Sequence, residues 1–236
     1  MMKYHTIWSI NQNIRNYDIT RYISTFIFYK PITRNIIKRK IRNNDFKDMK
    51  DGYGSIKNWN VFNITDMNFM FGYCINFNQD ISNWNVSNVT NMNRMFGGCH
   101  KFNQDISKWN VSNVQNMSRM FENCYNFNQD ISKWNVSNVT NMSYMFCSCV
   151  DFDQDISKWT VSNVTDMFSM FAGCHKFNQN ISIWDVSNVI YMENMFYCCY
   201  NFNQDIEIWT ISNVTDIYRM FKGCHKLIIK PNWSVT

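Results

Sequence analysis

The tryptophans of this 236-residue chain recur at a fixed interval of 25 residues, and a phenylalanine and a cysteine repeat at the same interval. No insertion or deletion interrupts the seven copies. A fixed period of 20–50 residues predicts units that stack and bury their apolar side chains against their neighbours. We call each unit a coil and equivalent residues of successive coils a column. The columns include Trp84, Trp109, Trp134, Trp159, Phe96, Phe121, Phe146, Cys99, Cys124 and Cys149.

Two periodicities lie within one coil. In the segment 90–99, apolar residues at positions i, i+3, i+4 and i+7 predict a short helix that Thr90 caps. The segment 102–107 is predicted to be a short extended strand, and the Asn-Val-Ser-Asn-Val sequence after Trp109 a turn. We therefore predict an α/β repeat, a leucine-rich-repeat-like solenoid with short parallel strands and short helices.

Polar residues also form columns, of which the asparagines at Asn88 and Asn113 and the glutamines at Gln104 and Gln129 are examples. Equivalent residues of neighbouring coils are expected about 4.8 Å apart, the spacing of paired strands. At that distance the amides either form a side-chain ladder or satisfy backbone groups in the turns. Both interpretations explain why every coil repeats the same polar residues.

The phrase F-N-Q-D-I-S-x-W-x-V-S-N-V-T-x-M-x-x-M-F-x-x-C resembles the BspA-like leucine-rich repeats, in the 25-residue form of mycoplasma surface proteins. The resemblance extends from Tyr53 to about Lys226. It implies a solenoid that contacts other macromolecules, often as a surface adhesin, and no catalytic residues. Similar arrays are abundant in giant viruses, and the lead-in DGYGSIKNWNV is similar to theirs, so a giant-virus member is expected.

Three segments follow from the repeat boundaries. Residues 1–52 are predicted to be a basic arm and a capping helix, in which Ile32, Ile36, Ile37 and Ile41 share one face behind Pro31. Residues 53–226 hold the repeats, and residues 227–236 form a C-terminal cap. Residues 1–29 fit either a partly ordered arm or a small helical piece.

The net charge of +5 is concentrated in residues 1–58, which hold 12 Lys or Arg and four Asp or Glu. A basic cluster there is predicted to be either the solvated face of the capping helix or a weak contact for an anionic partner such as nucleic acid or lipid. Its members are Arg34, Lys38, Arg39, Lys40 and Arg42. No signal peptide or membrane-spanning segment is evident, which predicts an intracellular protein, in the host cytoplasm or the virion if viral.

The cysteine column invites a zinc site, but one thiol per coil does not supply the four clustered ligands that zinc needs. We interpret the column as small core residues, with disulfide or redox use as the alternative. His100, His175 and His225 directly follow column cysteines and are interpreted as surface residues rather than catalytic bases. The Asp80 column either accepts hydrogen bonds from turn amides, which we favour, or binds calcium.

Function is expected where the repeats differ, at the positions after the column Met, Phe and Cys. Aromatic side chains at these otherwise polar positions are typical of protein interfaces. The candidate contact residues are Tyr125, Tyr144, Phe168, Tyr191, Tyr197, Tyr200 and Tyr218.

The sequence lacks a catalytic triad, a phosphate-binding loop and an HExxH motif. We therefore predict a non-enzymatic scaffold that needs no cofactor and binds an unidentified protein. A surface or virion-associated adhesin is the alternative.

Overall fold

The computed structural model describes residues 31–42 and 53–234. Helix α1 spans Arg34–Arg42, and two 3-10 turns span Ile56–Asn58 and Asn232–Ser234. Throughout the rest of these ranges the chain has neither a helix nor a strand. Single parallel bridges join each coil to the next, through Asp66, Asn91, Asn116, Asn141, Asp166, Tyr191 and Asp216.

Each coil is a succession of tight turns in which an amide donates to the carbonyl three residues earlier. In the second coil, Met95 donates to Met92 at 3.1 Å, Cys99 to Phe96 at 2.8 Å, and Phe102 to Cys99 at 3.0 Å. Two residues per coil have a positive φ and occupy the third position of such a turn, as a type II turn requires. The first column of these residues is Phe69, Arg94, Arg119, Tyr144, Ser169, Asn194 and Arg219, and the second is Tyr73, Gly98, Asn123, Ser148, Gly173, Cys198 and Gly223.

Amides at alternate positions of the turns bond to the following coil. In the third coil, Met117 donates to Asn141 at 3.0 Å, Arg119 to Ser143 at 2.8 Å and Phe121 to Met145 at 2.9 Å. A helix would direct these amides to carbonyls four residues earlier in the same segment. The backbone bonds that hold the coils together therefore take the place of helical bonds.

The predicted α/β solenoid with short parallel strands and short helices is wrong. The segment 90–99 is a run of turns, because the left-handed φ of Arg94 and Gly98 interrupts any helix. Thr90 does not cap it, since its hydroxyl donates to Thr65 O of the preceding coil at 3.3 Å. The segment 102–107 is not a strand, and the amide of Asn103 donates to the side chain of Asn78 rather than to neighbouring backbone.

The core is a stack of aromatic columns. The ring centroids of Phe96 and Phe121 lie 5.7 Å apart, as do those of Phe121 and Phe146. Within one coil, Phe121 stacks on Phe127 at 4.0 Å. The tryptophan column is buried beside them, and Trp134 Nε1 donates to Ile106 O of the preceding coil at 3.1 Å.

Both ends of the stack have additional contacts. At the first coil, Pro31 forms a parallel bridge with Asn60, and Ile32 and Ile37 are buried. Helix α1 begins at Arg34, three residues beyond Pro31. At the last coil, Trp233 packs against Phe221, with 6.2 Å between ring centroids. The residues 1–29, for which an arm or a helical piece is predicted, lie outside the described ranges.

We expect Ser148→Gly to raise the free energy of unfolding by about 1 kcal/mol, since a left-handed conformation costs a non-glycine residue roughly that much. Ser148 has φ 61°, and glycine already occupies its column at Gly98, Gly173 and Gly223. Urea denaturation would measure the change. Ser157→Gly is the matched control. Ser157 is not among the positive-φ residues, so this substitution should lower the free energy of unfolding. Equal losses in both variants would contradict the strained backbone at Ser148.

Candidate interaction face

The positions that differ between coils lie along the turns that bond coil to coil. We call the surface formed by positions 66–76 and its equivalents in the later coils the variable face. Of the predicted contact residues on it, Tyr125, Tyr191, Tyr200 and Tyr218 are exposed. Tyr144, Phe168 and Tyr197 are half-buried. All seven therefore reach the surface of the described structure.

A charged and aromatic cluster occupies the middle of the variable face. Glu122 accepts hydrogen bonds from Arg94 at 3.0 Å and from Arg119 at 2.7 Å. The Arg119 guanidinium lies 3.8 Å from the centroid of the Tyr144 ring, which in turn lies 5.1 Å from Phe168. The structure thus brings two predicted contact residues together and adds three charged residues that the sequence did not single out.

A second feature of the variable face is a column of stacked rings directly after the column cysteines. His100 stacks on Tyr125 with 4.4 Å between ring centroids, and His175 on Tyr200 with 4.3 Å. His225 lies 5.3 Å from Tyr200 on the other side. The interpretation of the histidines as independent surface residues missed this stacking. The signal was present, because these histidines and tyrosines occupy one column.

Not all predicted contact residues meet. Tyr191 and Tyr197 have no ring contact within the described ranges, and Tyr218 contacts the Arg219 guanidinium 4.7 Å from its ring centroid. The face therefore offers separate aromatic points along its length rather than one pocket. Such an arrangement suits an extended macromolecular surface better than a small molecule, which usually binds in a concave site.

The column cysteines are donors within the core. Cys124 Sγ donates to Phe96 O of the preceding coil at 3.1 Å, and Cys149 Sγ to Phe121 O at 3.0 Å. Burial raises the pKa of both thiols well above the usual range. Burial also raises the pKa of Cys224, in the last coil, to about 12. A neutral thiol is a poor nucleophile, so we expect little reactivity from this column in the folded chain.

These shifts predict a loss of stability in alkali. A thiol of the unfolded chain ionises near its ordinary pKa of 9.0, whereas burial raises the pKa of Cys124 and Cys149 and keeps both thiols protonated. Above about pH 9 the unfolded chain therefore binds fewer protons, and the unfolding free energy should fall by up to about 1.4 kcal/mol per pH unit for each such thiol. Urea titrations between about pH 8 and pH 10.5 would measure the slope, with Cys124→Ser as the variant that reduces it. A slope unchanged in Cys124→Ser would contradict a buried, protonated thiol.

The aspartate column accepts hydrogen bonds within its turns. Asp130 Oδ1 accepts from the amide of Ser132 at 2.9 Å. Hydrogen bonds from the Ser132 side chain, and then from its amide, lower the pKa of the Asp130 carboxyl. Asp80 is also paired with Lys57, whose ammonium is the main reason that its pKa falls to about 2. Across the described ranges no group of three or more His, Cys, Asp or Glu side chains lies close enough to hold a metal ion.

The glutamine and asparagine columns form both kinds of hydrogen bond predicted for them, a side-chain ladder and bonds to backbone groups. Gln129 Nε2 donates to Asn103 Oδ1 of the preceding coil at 2.9 Å, which is a side-chain ladder. Asn138 Nδ2 instead donates to the backbone carbonyl of Ser112 at 2.7 Å. The Gln129 and Asn138 columns are thus engaged in holding one coil to the next.

The basic cluster of helix α1 does not form one surface. Lys40 is only 2% exposed, and its ammonium lies 5.8 Å from the centroid of the Trp59 ring. The Arg34 guanidinium donates to Asn68 O and lies 3.9 Å from Asp66 Oδ2. Arg39 is exposed and Lys38 is half-buried, and the side chain of Arg42 lies outside the described residues. Burial of Lys40 removes it from the predicted anionic contact.

The model for a family described as "Mycoplasma protein of unknown function, DUF285" matches the chain over residues 41–149 and again over residues 129–233. Together the two matches cover well over half of the chain. No curated protein and no solved structure matches it. Within the ranges that the structure describes, no helix has the length and hydrophobicity needed to cross a membrane.

Proposed function

We propose that this chain, which belongs to the Mycoplasma protein family of unknown function DUF285, is a non-enzymatic scaffold that binds a protein partner through its variable face. The predicted resemblance to a mycoplasma repeat family is confirmed by this membership. The giant-virus source and the intracellular location stay predictions.

One observation carries the proposal: the repeated residues hold the coils together, and most of the positions that differ between coils lie on the variable face. Trp134, Cys124 and Asn138 each donate a hydrogen bond to a backbone carbonyl of the preceding coil. Such residues are not available for recognition. A partner that distinguishes this chain from another stack of the same kind finds most of the differing positions on the variable face.

The chemistry of that face suits a protein partner. Exposed tyrosines provide a large contact area with few side-chain torsions to fix, and arginine is similarly common at interfaces. Tyr191 is 48% exposed and Tyr200 is 39% exposed. The charged pair of Arg119 and Glu122, on the same face, offers a polar contact of the kind that fixes the orientation of a partner.

The absence of an enzymatic role is part of the proposal. Its support is that the residues most able to act as nucleophiles or acids are engaged elsewhere. The column thiols are buried and donate to carbonyls, and the column carboxylates accept hydrogen bonds from amides two residues later. These contacts favour a structural use of both groups.

The test compares two double variants of the immobilised chain. The first, Tyr191→Ser with Tyr200→Ser, alters the variable face. The second, Ile183→Ser with Ile208→Ser, is the control, because these two side chains are 70% and 72% exposed but lie in the turns before Trp184 and Trp209. The isoleucine variant should retain the same proteins from native cells as the unaltered chain. The amount retained by the tyrosine variant should be at least about tenfold smaller. Equal retention by both variants would refute a role for this face.

The adhesin alternative predicts a different result when the labelled chain is offered to intact cells and to a cytosolic fraction. It places the partner on the outside of a cell, so the labelled chain would bind intact cells and not a cytosolic fraction. Selective binding to intact cells through Tyr191 and Tyr200 would replace the intracellular scaffold with the adhesin.

A further inference from the structure

The hydrogen bonds that the alternate turn amides of the variable face make between coils all run in one direction. In each of the first five coils four alternate amides donate to carbonyls of the next coil, and in the sixth coil three do so. The seventh coil is the last one that the structure describes. Its equivalent amides, those of Ile217, Arg219, Phe221 and Gly223, have no acceptor within the described residues. The last coil therefore presents a row of four backbone donors that point away from the stack.

The first coil, at the opposite end of the stack, shows which kind of charge lies against the exposed end of such a row. The first coil presents carbonyls, and the Arg34 guanidinium of helix α1 donates to one of them, Asn68 O. A cation thus occupies the acceptor end of the row. By the same electrostatics the donor end favours an anion, as do other sites where left-handed residues turn successive amides to one side. Arg219 and Gly223, with φ 57° and 86°, are the left-handed residues here.

A cavity and three cations accompany the free amides. A cavity of about 450 Å³ is lined by residues 216–222, Lys230 and Ser234. Arg219, Lys222 and Lys230 line it against one carboxylate, Asp216. None of these three cationic side chains forms a salt bridge within the described ranges. Three residues of the amide row, Ile217, Arg219 and Phe221, therefore line a cavity with an excess of positive charge.

We propose that this edge of the last coil binds an acidic segment of a partner protein. Alternate backbone carbonyls of the segment accept from the four amides, and its carboxylates pair with Lys222 and Lys230. The row extends over seven residues, at most about 20 Å, so a single small oxyanion reaches only part of it. A polypeptide supplies acceptors at regular intervals, as in other complexes where a peptide extends a sheet edge.

A second copy of this chain does not fit the same edge. Its own last coil presents donors, and two rows of donors cannot pair. Its first coil presents acceptors, but there Pro31 is bridged to Asn60 and Arg34 occupies Asn68 O. The cavity does not include Tyr191 or Tyr200, the residues altered in the test of the proposed function, so either proposal can fail without the other.

The test is a titration of the full chain with a labelled peptide of about ten residues in which Glu and Val alternate, followed by amide hydrogen exchange. The four amides should exchange rapidly in the free chain, unlike those of Asn194 and Phe196, which donate to the last coil. The peptide should bind with a Kd below about 100 µM and slow exchange at all four. About 10 mM inorganic phosphate should protect no more than two of them.

Variants provide the matched controls. Lys222→Glu with Lys230→Glu should weaken peptide binding at least about tenfold, whereas Lys158→Glu, an exposed lysine elsewhere in the stack, should change it less than about twofold. The proposal fails if the peptide does not bind below about 1 mM, or if a Lys-Val peptide binds equally well. It also fails if phosphate alone protects all four amides, or if they become protected as the free chain self-associates.

Discussion

Trp134→Ala should lower the free energy of unfolding by about 3–5 kcal/mol, the cost of removing a large side chain from a packed core. Trp134 is 3% exposed and its ring lies 6.3 Å from that of Phe121. Its indole N–H also donates to Ile106 O of the preceding coil, and this carbonyl would lose its partner. Chemical denaturation followed by circular dichroism measures the loss.

Two further variants make this result specific. Trp134→Phe keeps most of the buried area but removes the donor, so it should cost about 1–3 kcal/mol. Tyr200→Ala removes a ring that is 39% exposed and stacked between two histidines, and should cost about 1 kcal/mol. Equal losses for Trp134→Ala and Tyr200→Ala would mean that the interior and the surface of the coils are wrongly assigned.

Phe121→Ala should also lower the free energy of unfolding by about 3–5 kcal/mol, because the Phe121 ring stacks on rings of both neighbouring coils. The stack also predicts how two such losses combine. Phe121 and Phe146 are in contact, so the double variant should depart from additivity by about 0.5–3 kcal/mol. Phe121 and Phe196 lie three coils apart, and their losses should add to within about 0.5 kcal/mol. A double-mutant cycle measures both pairs, and equal coupling for the two would contradict contacts restricted to neighbouring coils.

The period of 25 residues is sufficient to deduce which side chains meet, because equivalent residues of adjacent coils must face one another. The structure buries Trp109, Phe121 and Cys124 and leaves Tyr191 exposed. The backbone conformation could not be deduced in the same way. Apolar residues at intervals of three and four are typical of a helix, but consecutive turns closed by bonds between residues three apart give the same spacing.

The left-handed residues explain why the sequence misled. Arg94, Arg119 and Tyr144 have positive φ values, although arginine and tyrosine rarely adopt them. Glycine at every such position would have indicated a turn, but the first of the two columns contains none. The conformation is imposed by hydrogen bonds between coils, which involve residues 24 positions apart and leave no local signal.

The candidate site was partly predictable. Exposed tyrosines at variable positions could be picked out by their column alone. The stacking of His100 on Tyr125 and the bonds of Glu122 to two arginines depend on distances across coils. Burial of Lys40 over Trp59 likewise depends on where helix α1 packs. The free amides of the last coil could not be predicted while helices were expected there.

Scalar couplings across hydrogen bonds, measured by nuclear magnetic resonance, test the turn-built stack most directly. The amide nitrogen of Phe121 should couple to the carbonyl carbon of Met145, 24 residues later, and that of Arg119 to Ser143. A helix would instead couple Phe121 to Met117, four residues earlier. Couplings to the following coil would establish the stack of turns, and couplings to Met117 would contradict it.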